Sequence, residues 1–312
     1  MAAASEAARN PCTRLKSTVP EALKNDLPHT KWGKILSTTP VVLTVVATLL
    51  AGLASSEMTR AQYDRSYAAQ LQSKAGDQWS YFQAKKLRSA VQHSTLDLLE
   101  NTVEVHPLDH AAVRSALGAQ PVSAETLAVL DSGAVKIPEP TATPSPSIAA
   151  ALDGLHRGAP EEKMAVLMAA IETPVLEEAL RAAQADALAL DAATKPLVQQ
   201  IDAMEQPLSR TPLRRDYIAA RLRVQAQRYD AEAALNQSIG SLYELQVRKY
   251  NLSAERYHRR SQRFFFGMLA AQAGVVLSTL AMAAQRRSLL WAVAAVAGTI
   301  AIAFAIYVYL FV

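Results

Sequence analysis

The stretch FFFGMLAAQAGVVLSTLAMAA-QRRS-LLWAVAAVAGTIAIAFAIYVYLFV, residues 264–312, decides how this chain folds. It holds two apolar runs, 264–284 and 289–312, with no charged residue in either and only a four-residue turn between them. An α-helix needs about 20 apolar residues to cross a hydrocarbon layer of about 30 Å. A third run of this kind, 35–53, follows a polar tail over residues 1–34. The reading is an all-α integral membrane protein with three transmembrane helices, at 35–55, 264–284 and 288–312. A cleaved signal peptide is the rival for the first run, which ends in the small residues Ala51, Gly52, Ala54 and Ser55. The polar tail before it is much longer than a usual n-region, which favours a span.

A mean hydropathy of +0.05, with 50% hydrophobic and 19% charged residues, fits a polar domain joined to a few spans. Only 11 Gly occur, Ala, Leu, Gln, Arg and Glu abound, and nothing alternates at period two. That composition favours helix over sheet. The net charge is +4, but its basic residues gather beside the spans. Arg256, Arg259, Arg260 and Arg263 precede the second run, and Arg286 with Arg287 fill the turn. Such clusters meet anionic lipid headgroups, at roughly 1 kcal/mol per basic residue, and the lipid bilayer is the expected partner, not nucleic acid. Cys12 is the sole cysteine, so no intrachain disulfide or thiolate cluster forms. No cofactor is implied.

Small residues recur along the later spans: Ala270, Gly274 and Ser278 on one, Ala294 with Gly298 and Ala297 with Ala301 and Ala305 on the other. This spacing lets helices approach closely in lipid, either as a hairpin within one chain or as a subunit interface. A count of flanking Lys and Arg places the central domain on the cytoplasmic side.

Between the spans, residues 56–102 read as one helix, with Tyr63, Tyr67, Leu71, Gln78 and Phe82 at helical spacing. The return is 211–263, where Leu222, Tyr229, Asn236, Tyr243, Tyr250, Tyr257 and Phe264 recur at sevens. Thr211 is its expected N-cap and Pro212 its first turn. Two such helices predict a long antiparallel, coiled-coil-like stalk, about 75 Å long for about 50 residues. Residues 103–210 are expected to form a small helical cap at its tip, with PEPTATPSP (138–146) as an extended linker and Pro174 and Pro196 breaking or kinking a helix over 160–204.

Asp77, Gln78, Trp79, Tyr81, Phe82 and Lys85 are the most unusual cluster. On a helix Asp77, Tyr81 and Lys85 share one stripe. They form either a polar ligand or partner site facing Tyr243 or Tyr250, or a packing key that sets helix register. His106 and His110 have the i,i+4 spacing of a zinc pair, but Pro107 lies between them and a surface loop is the plainer reading. Tyr257, His258 and the neighbouring arginines form an aromatic-basic collar below the second span. The sequon at Asn251 falls in a helix and is set aside. The chain has no Gly-rich phosphate loop, no nucleophile elbow and no Cys nucleophile beside a His, so no enzyme is expected.

SKAGDQWSYFQAKKLR (73–88) and AERYHRRSQR (254–263), the latter followed by a hydrophobic hairpin, resemble the bacterial membrane proteins grouped as domain of unknown function 4337. The shared string falls on Asp77, Gln78, Trp79, Tyr81, Phe82, Gln83, Ala84 and Lys85. The resemblance implies a bacterial inner-membrane, multi-pass protein and brings no chemistry with it; it does not clearly extend over 103–208. Three functions are then weighed: a non-catalytic scaffold that homo-oligomerises or holds an unidentified protein partner, a subunit of a multimeric channel or transporter, and an enzyme sited in the cap. The first is preferred, because the spans carry no ionisable group for transport and no catalytic motif supports the third.

Overall fold

A computed structural model describes residues 31–118, 121–283 and 289–311. The tail with Cys12 and the turn with Arg286 and Arg287 lie outside the described residues. Every regular element described is a helix: α1 (Lys31–Thr102), α2 (His110–Leu117), α3 (Ala124–Ser132), α4 (Pro146–His156), α5 (Glu161–Ala169), α6 (Thr173–Ala203), α7 (Glu205–Leu208), α8 (Arg214–Ala283) and α9 (Leu289–Phe311). Of these, α1 and α8 each contain a window long and apolar enough to cross a membrane, and α9 supplies a shorter apolar stretch, Ala292–Phe304.

The chain divides into two compact units, Arg60–Arg256 and, from its two ends, Met1–Thr59 with Tyr257–Val312. The end unit has a core of small residues. Ala47 meets Ala271 and Ala301, while Leu50 and Ala54 pack with Phe264. A Cβ on Gly274 would come 3.2 Å from Leu43 and one on Gly267 would come 3.3 Å from Leu50, so α1 sits hard against α8 there. Gly298 of α9 also faces Leu43. The small-residue ridges are therefore occupied within the chain, and the first apolar run, rather than a two-helix hairpin alone, fills them. Ser261 adds a hydroxyl donation to the Ala54 carbonyl at 2.7 Å. Pro40 lies inside α1, beyond its first turn, and the helix continues through it.

In the central unit α1 and α8 run antiparallel, and the intervening helices lie along α8. They form two cores. In one, Ile148, Met164, Met168, Ile171, Leu176 and Leu180 pack on Ile239, Leu242, Tyr243 and Leu245 of α8, and on Ala68, Leu71 and Ala75 of α1. In the other, Val113, Leu117, Leu127, Leu130, Ile201, Met204 and Leu208 pack on Tyr217, Ala220 and Val224 of α8. Instead of a cap at the tip, residues 103–210 thus flank α8 over about 45 Å of its length. The linker before α4 is extended as its prolines require, although Pro146 itself occupies the first turn of α4 behind the N-cap Ser145. Pro174 similarly opens α6, while Pro196 lies inside it. The return helix starts at Arg214, not at Pro212, and Thr211 does not act as N-cap: its hydroxyl donates back to the Leu208 carbonyl, closing the preceding turn.

Candidate interaction surface on the paired helices

Where α1 meets α8 in the central unit, the buried residues are mostly small and recur at sevens. On α1 they are Ala61, Ala68 and Ala75, continued by Ser89 and Leu96; on α8 they are Ala219, Ala226, Ala233, Gly240, Val247 and Ala254. The tyrosine-rich heptad predicted as the seam stands three residues along: Leu222, Tyr229, Asn236 and Tyr250 are half-buried, and only Tyr243 of that set is buried in this unit. Alanine is favoured everywhere in a helix, so its heptad carries no visible signal among so many other alanines.

Trp79 packs on the glycine of this seam. A Cβ on Gly240 would lie 3.5 Å from the Trp79 indole and 3.5 Å from the Gln78 Cβ, so the ring rests on the glycine. The indole Nε1 donates to Glu244 Oε1 at 2.6 Å, and Phe82 stands edge-on to the ring at 5.5 Å. One to two turns further, Lys85 pairs with Glu232 and lies 5.3 Å over the Tyr229 ring, while Arg228 Nε holds the other Glu232 oxygen at 2.7 Å. Lys86 donates to Asp230 Oδ1 at 2.9 Å, with His93 3.4 Å from Oδ2. The Lys86 hydrogen bond, aided by Ser89 and His93 and opposed by partial burial, holds the Asp230 carboxyl below the usual carboxylate range. Arg223 meets Glu100 at 2.5 Å.

The geometry separates the members of the predicted cluster. Gln78, Trp79, Phe82 and Lys85 turn toward α8, but Asp77 and Tyr81 are exposed, so the acid–phenol–amine stripe does not converge. Nor do Tyr243 and Tyr250 face it. The Tyr243 hydroxyl accepts from Gln184 of α6 at 2.9 Å, and Tyr250 stands edge-on to Tyr67 at 4.7 Å. Burial, then the neighbouring Tyr67 and nearby carboxylates, pushes the Tyr250 phenol up. Tyr257 is half-buried in the end unit; Arg256 and Arg259 are exposed, and Arg260 and Arg263 half-exposed.

Sequence reasoning missed the polar ties from α8 to the third layer. Lys249 Nζ donates to the Met168 carbonyl at 3.2 Å and to that of Ile171, closing the end of α5; burial, helped by Arg256, lowers its pKa. The Tyr217 hydroxyl donates to the Ile201 carbonyl at 2.5 Å, and burial pushes that phenol up. Gln227 accepts from the Val135 amide at 2.8 Å, and His156 lies 3.2 Å from the Ser241 hydroxyl. Each needs a partner far away in sequence, which no local pattern announces. Among the described residues no group of three or more His, Cys, Asp or Glu is placed to hold a metal ion. His106 is on an irregular segment 3.4 Å from Glu104, whereas His110 opens α2 and meets Asp131 at 2.5 Å, so the two do not share a helix.

These contacts can set register and hold helices together; they bring no nucleophile, base and oxyanion donor to one point. No curated protein and no solved structure matches the chain. The family match that exists ends within α3, leaving the 254–263 stretch and the C-terminal runs outside it. Residues 32–125 match the family described as Domain of unknown function (DUF4337), a stretch that takes in the helix carrying Trp79 and runs on through α2 into α3, so the match reaches into 103–125, which the sequence resemblance did not clearly cover.

Proposed function

We propose that this is a non-catalytic, multi-pass integral membrane protein whose paired helices act as a self-associating scaffold. The observation that carries the membrane part of this reading is the packing of the end unit. Ala47, Ala54, Ala271, Gly274, Ser278, Ala294 and Ala301 are inside, while Val41, Val42, Leu49, Leu280, Val296 and Ile300 are outside, the last at 59% exposure. Apolar area left in water costs roughly 25 cal/mol per Å², so an outer surface of this kind belongs in hydrocarbon. Small residues fill most of the inside, with Leu43, Leu50 and Phe264 among them, and large apolar residues face outward, which suits helices associating within lipid. The collar of Arg256, Arg259, Arg260 and Arg263, with Arg286 and Arg287, would meet anionic headgroups, and the central unit would lie on the cytoplasmic side of a bacterial inner membrane.

Extraction tests this directly. The chain is expected to stay with the membrane pellet through high-salt and alkaline washes and to enter solution only with detergent. Recovery in the salt or alkaline supernatant would overturn the reading. Labelling the sole thiol, Cys12, with an impermeant maleimide in intact cells fixes the side on which the tail lies.

A further inference from the structure

Within the central unit the face of α1 turned away from α8 has an unusual composition. Ser80, Ala84, Leu87, Val91, Ser94, Leu98 and Asn101 follow one another at steps of four and three, and all are exposed. Leu87 is 68% exposed, Val91 52% and Leu98 65%. The outward positions of a paired helix ordinarily carry its charge. Here the charge is drawn sideways: Lys85, Lys86, His93 and Glu100 engage Glu232, Asp230 and Arg223 of α8, and Arg88 lies over Tyr229. The seam line from Ser80 to Asn101 has no charged residue, and Asp77 stands just beyond its start. No residue of α1 in this stretch joins either large core of the unit.

We propose that this outer face of α1 docks a second copy of the chain, parallel and in register. The inference rests on the membrane reading, because copies anchored in one bilayer meet side by side with the same polarity. Such a symmetric parallel pair lays every residue against its own copy. A charged face would repel itself, whereas Ala84, Leu87, Val91 and Leu98 form successive apolar layers and Asn101 can bond its own amide. Charge across an interface is also what steers and selects a different partner, and this face has none to offer. About 22 residues span about 33 Å, and with a width of about 10 Å the face contributes roughly 330 Å² per copy. The total of roughly 660 Å² falls below the roughly 1,000 Å² of a free-standing interface. Pairing therefore depends on the anchors, which raise the local concentration of one face against the other.

The test uses the full chain in its membrane, with Cys12→Ser and single cysteines introduced along α1, oxidised with copper–phenanthroline. Ala84→Cys, Leu87→Cys, Val91→Cys and Leu98→Cys are each expected to give a disulfide-linked dimer of the chain, and Ser238→Cys on α8 little or none. Linking only in a mixture of Ala84→Cys and Leu98→Cys chains would mean antiparallel pairing and would overturn the proposal. So would uniform absence of linking, or linking to another protein instead. Adding Leu87→Asp and Leu98→Asp should reduce Val91→Cys linking at least about tenfold, since like charges then face each other. Both side chains are exposed, so helix content should not change; undiminished linking in that variant counts equally against the idea. Release of the chain by salt would instead sink the anchoring, which keeps the two failures apart.

Discussion

Gly240 is the point at which the seam can be tested most sharply. Its hypothetical Cβ would sit 3.5 Å from the Trp79 ring and from Gln78, ordinary contact distances, while a longer side chain would have to enter the indole. Gly240→Ala removes a flexible residue from the interior of a long helix and is expected to stabilise the unit by about 0.5–1 kcal/mol. For a unit of this size that raises Tm by roughly 1–4 °C. Gly240→Leu gains similar helix propensity but overpacks the junction, at about 1–3 kcal/mol. It also forces Trp79 off Glu244, losing a hydrogen bond to a charged group worth about 1.5–3 kcal/mol. The net expectation is a loss of about 3–4 kcal/mol. Melting of the full chain in mild detergent, followed by far-ultraviolet circular dichroism, reads both signs. Fluorescence in a Trp32→Phe, Trp291→Phe background reports Trp79 alone, which should shift to the red in the Leu variant and stay in place in the Ala variant. Equal melting of the two variants would refute the placement of Trp79 on Gly240, as would a destabilised Ala variant.

The remaining expectations concern polar ties. Tyr217→Phe removes the hydroxyl from the Ile201 carbonyl and should cost about 1 kcal/mol, read as a lower melting temperature; an unchanged value counts against that bond. In an ultraviolet titration Tyr217 and Tyr250 should ionise above the ordinary tyrosine range, because burial raises both, and the signal of each is identified by its loss in Tyr217→Phe or Tyr250→Phe. Their folded values lie above the unfolded one, so the stability they confer is full below the ordinary tyrosine pKa of about 10 and is lost as pH rises through the folded values. Asp230 has the opposite sign. Its folded pKa is depressed, so its contribution is present above the ordinary carboxylate range and disappears as pH falls through the folded value. Asp230→Asn should therefore flatten the acid limb of the melting profile, and an unaltered limb would show that Lys86 does not hold the carboxylate.

The apolar runs and the proline linker were legible because their signals are local: uninterrupted hydrophobic length, and a ring that forbids helix. The helical class followed from the same kind of reading. The seam was legible in its period and not in its phase. Tyr229, Tyr243 and Tyr250 stand out in the sequence, but large rings fit beside a close helix contact, and Ala226, Ala233 and Gly240 fit within it. Asp77 and Tyr81 were grouped with Lys85 on spacing alone, which says nothing about the side on which α8 lies. His106 and His110 failed as a pair because their spacing matters only on a helix, and Pro107 leaves them at the end of an irregular segment. Where residues 103–210 settle could not be seen at all, since docking of α4 to α6 depends on surfaces far apart in sequence.

That docking explains why the seam can be built of alanine. An alanine layer lets two helices approach closely but removes little apolar area from water, and area is what stabilises a pair in solution. In lipid the same layer suffices, because there close packing rather than water exclusion holds helices together. Outside lipid the deficit must be met by larger side chains, and these come from the intervening helices: Ile148, Met168, Ile171 and Leu176 against one part of α8, Ile201, Met204 and Leu208 against another. All of them are nearly inaccessible, and all but the residues near Ala68 to Ala75 bypass α1. The consequence is an asymmetric pair. The α8 helix contributes to both large cores, whereas α1 beyond Ala75 joins neither and keeps Leu87, Val91 and Leu98 in contact with solvent. The exposure of those three residues thus follows from the alanine seam and the one-sided third layer together, and it is on α1, not on α8, that a further helix has room to pack.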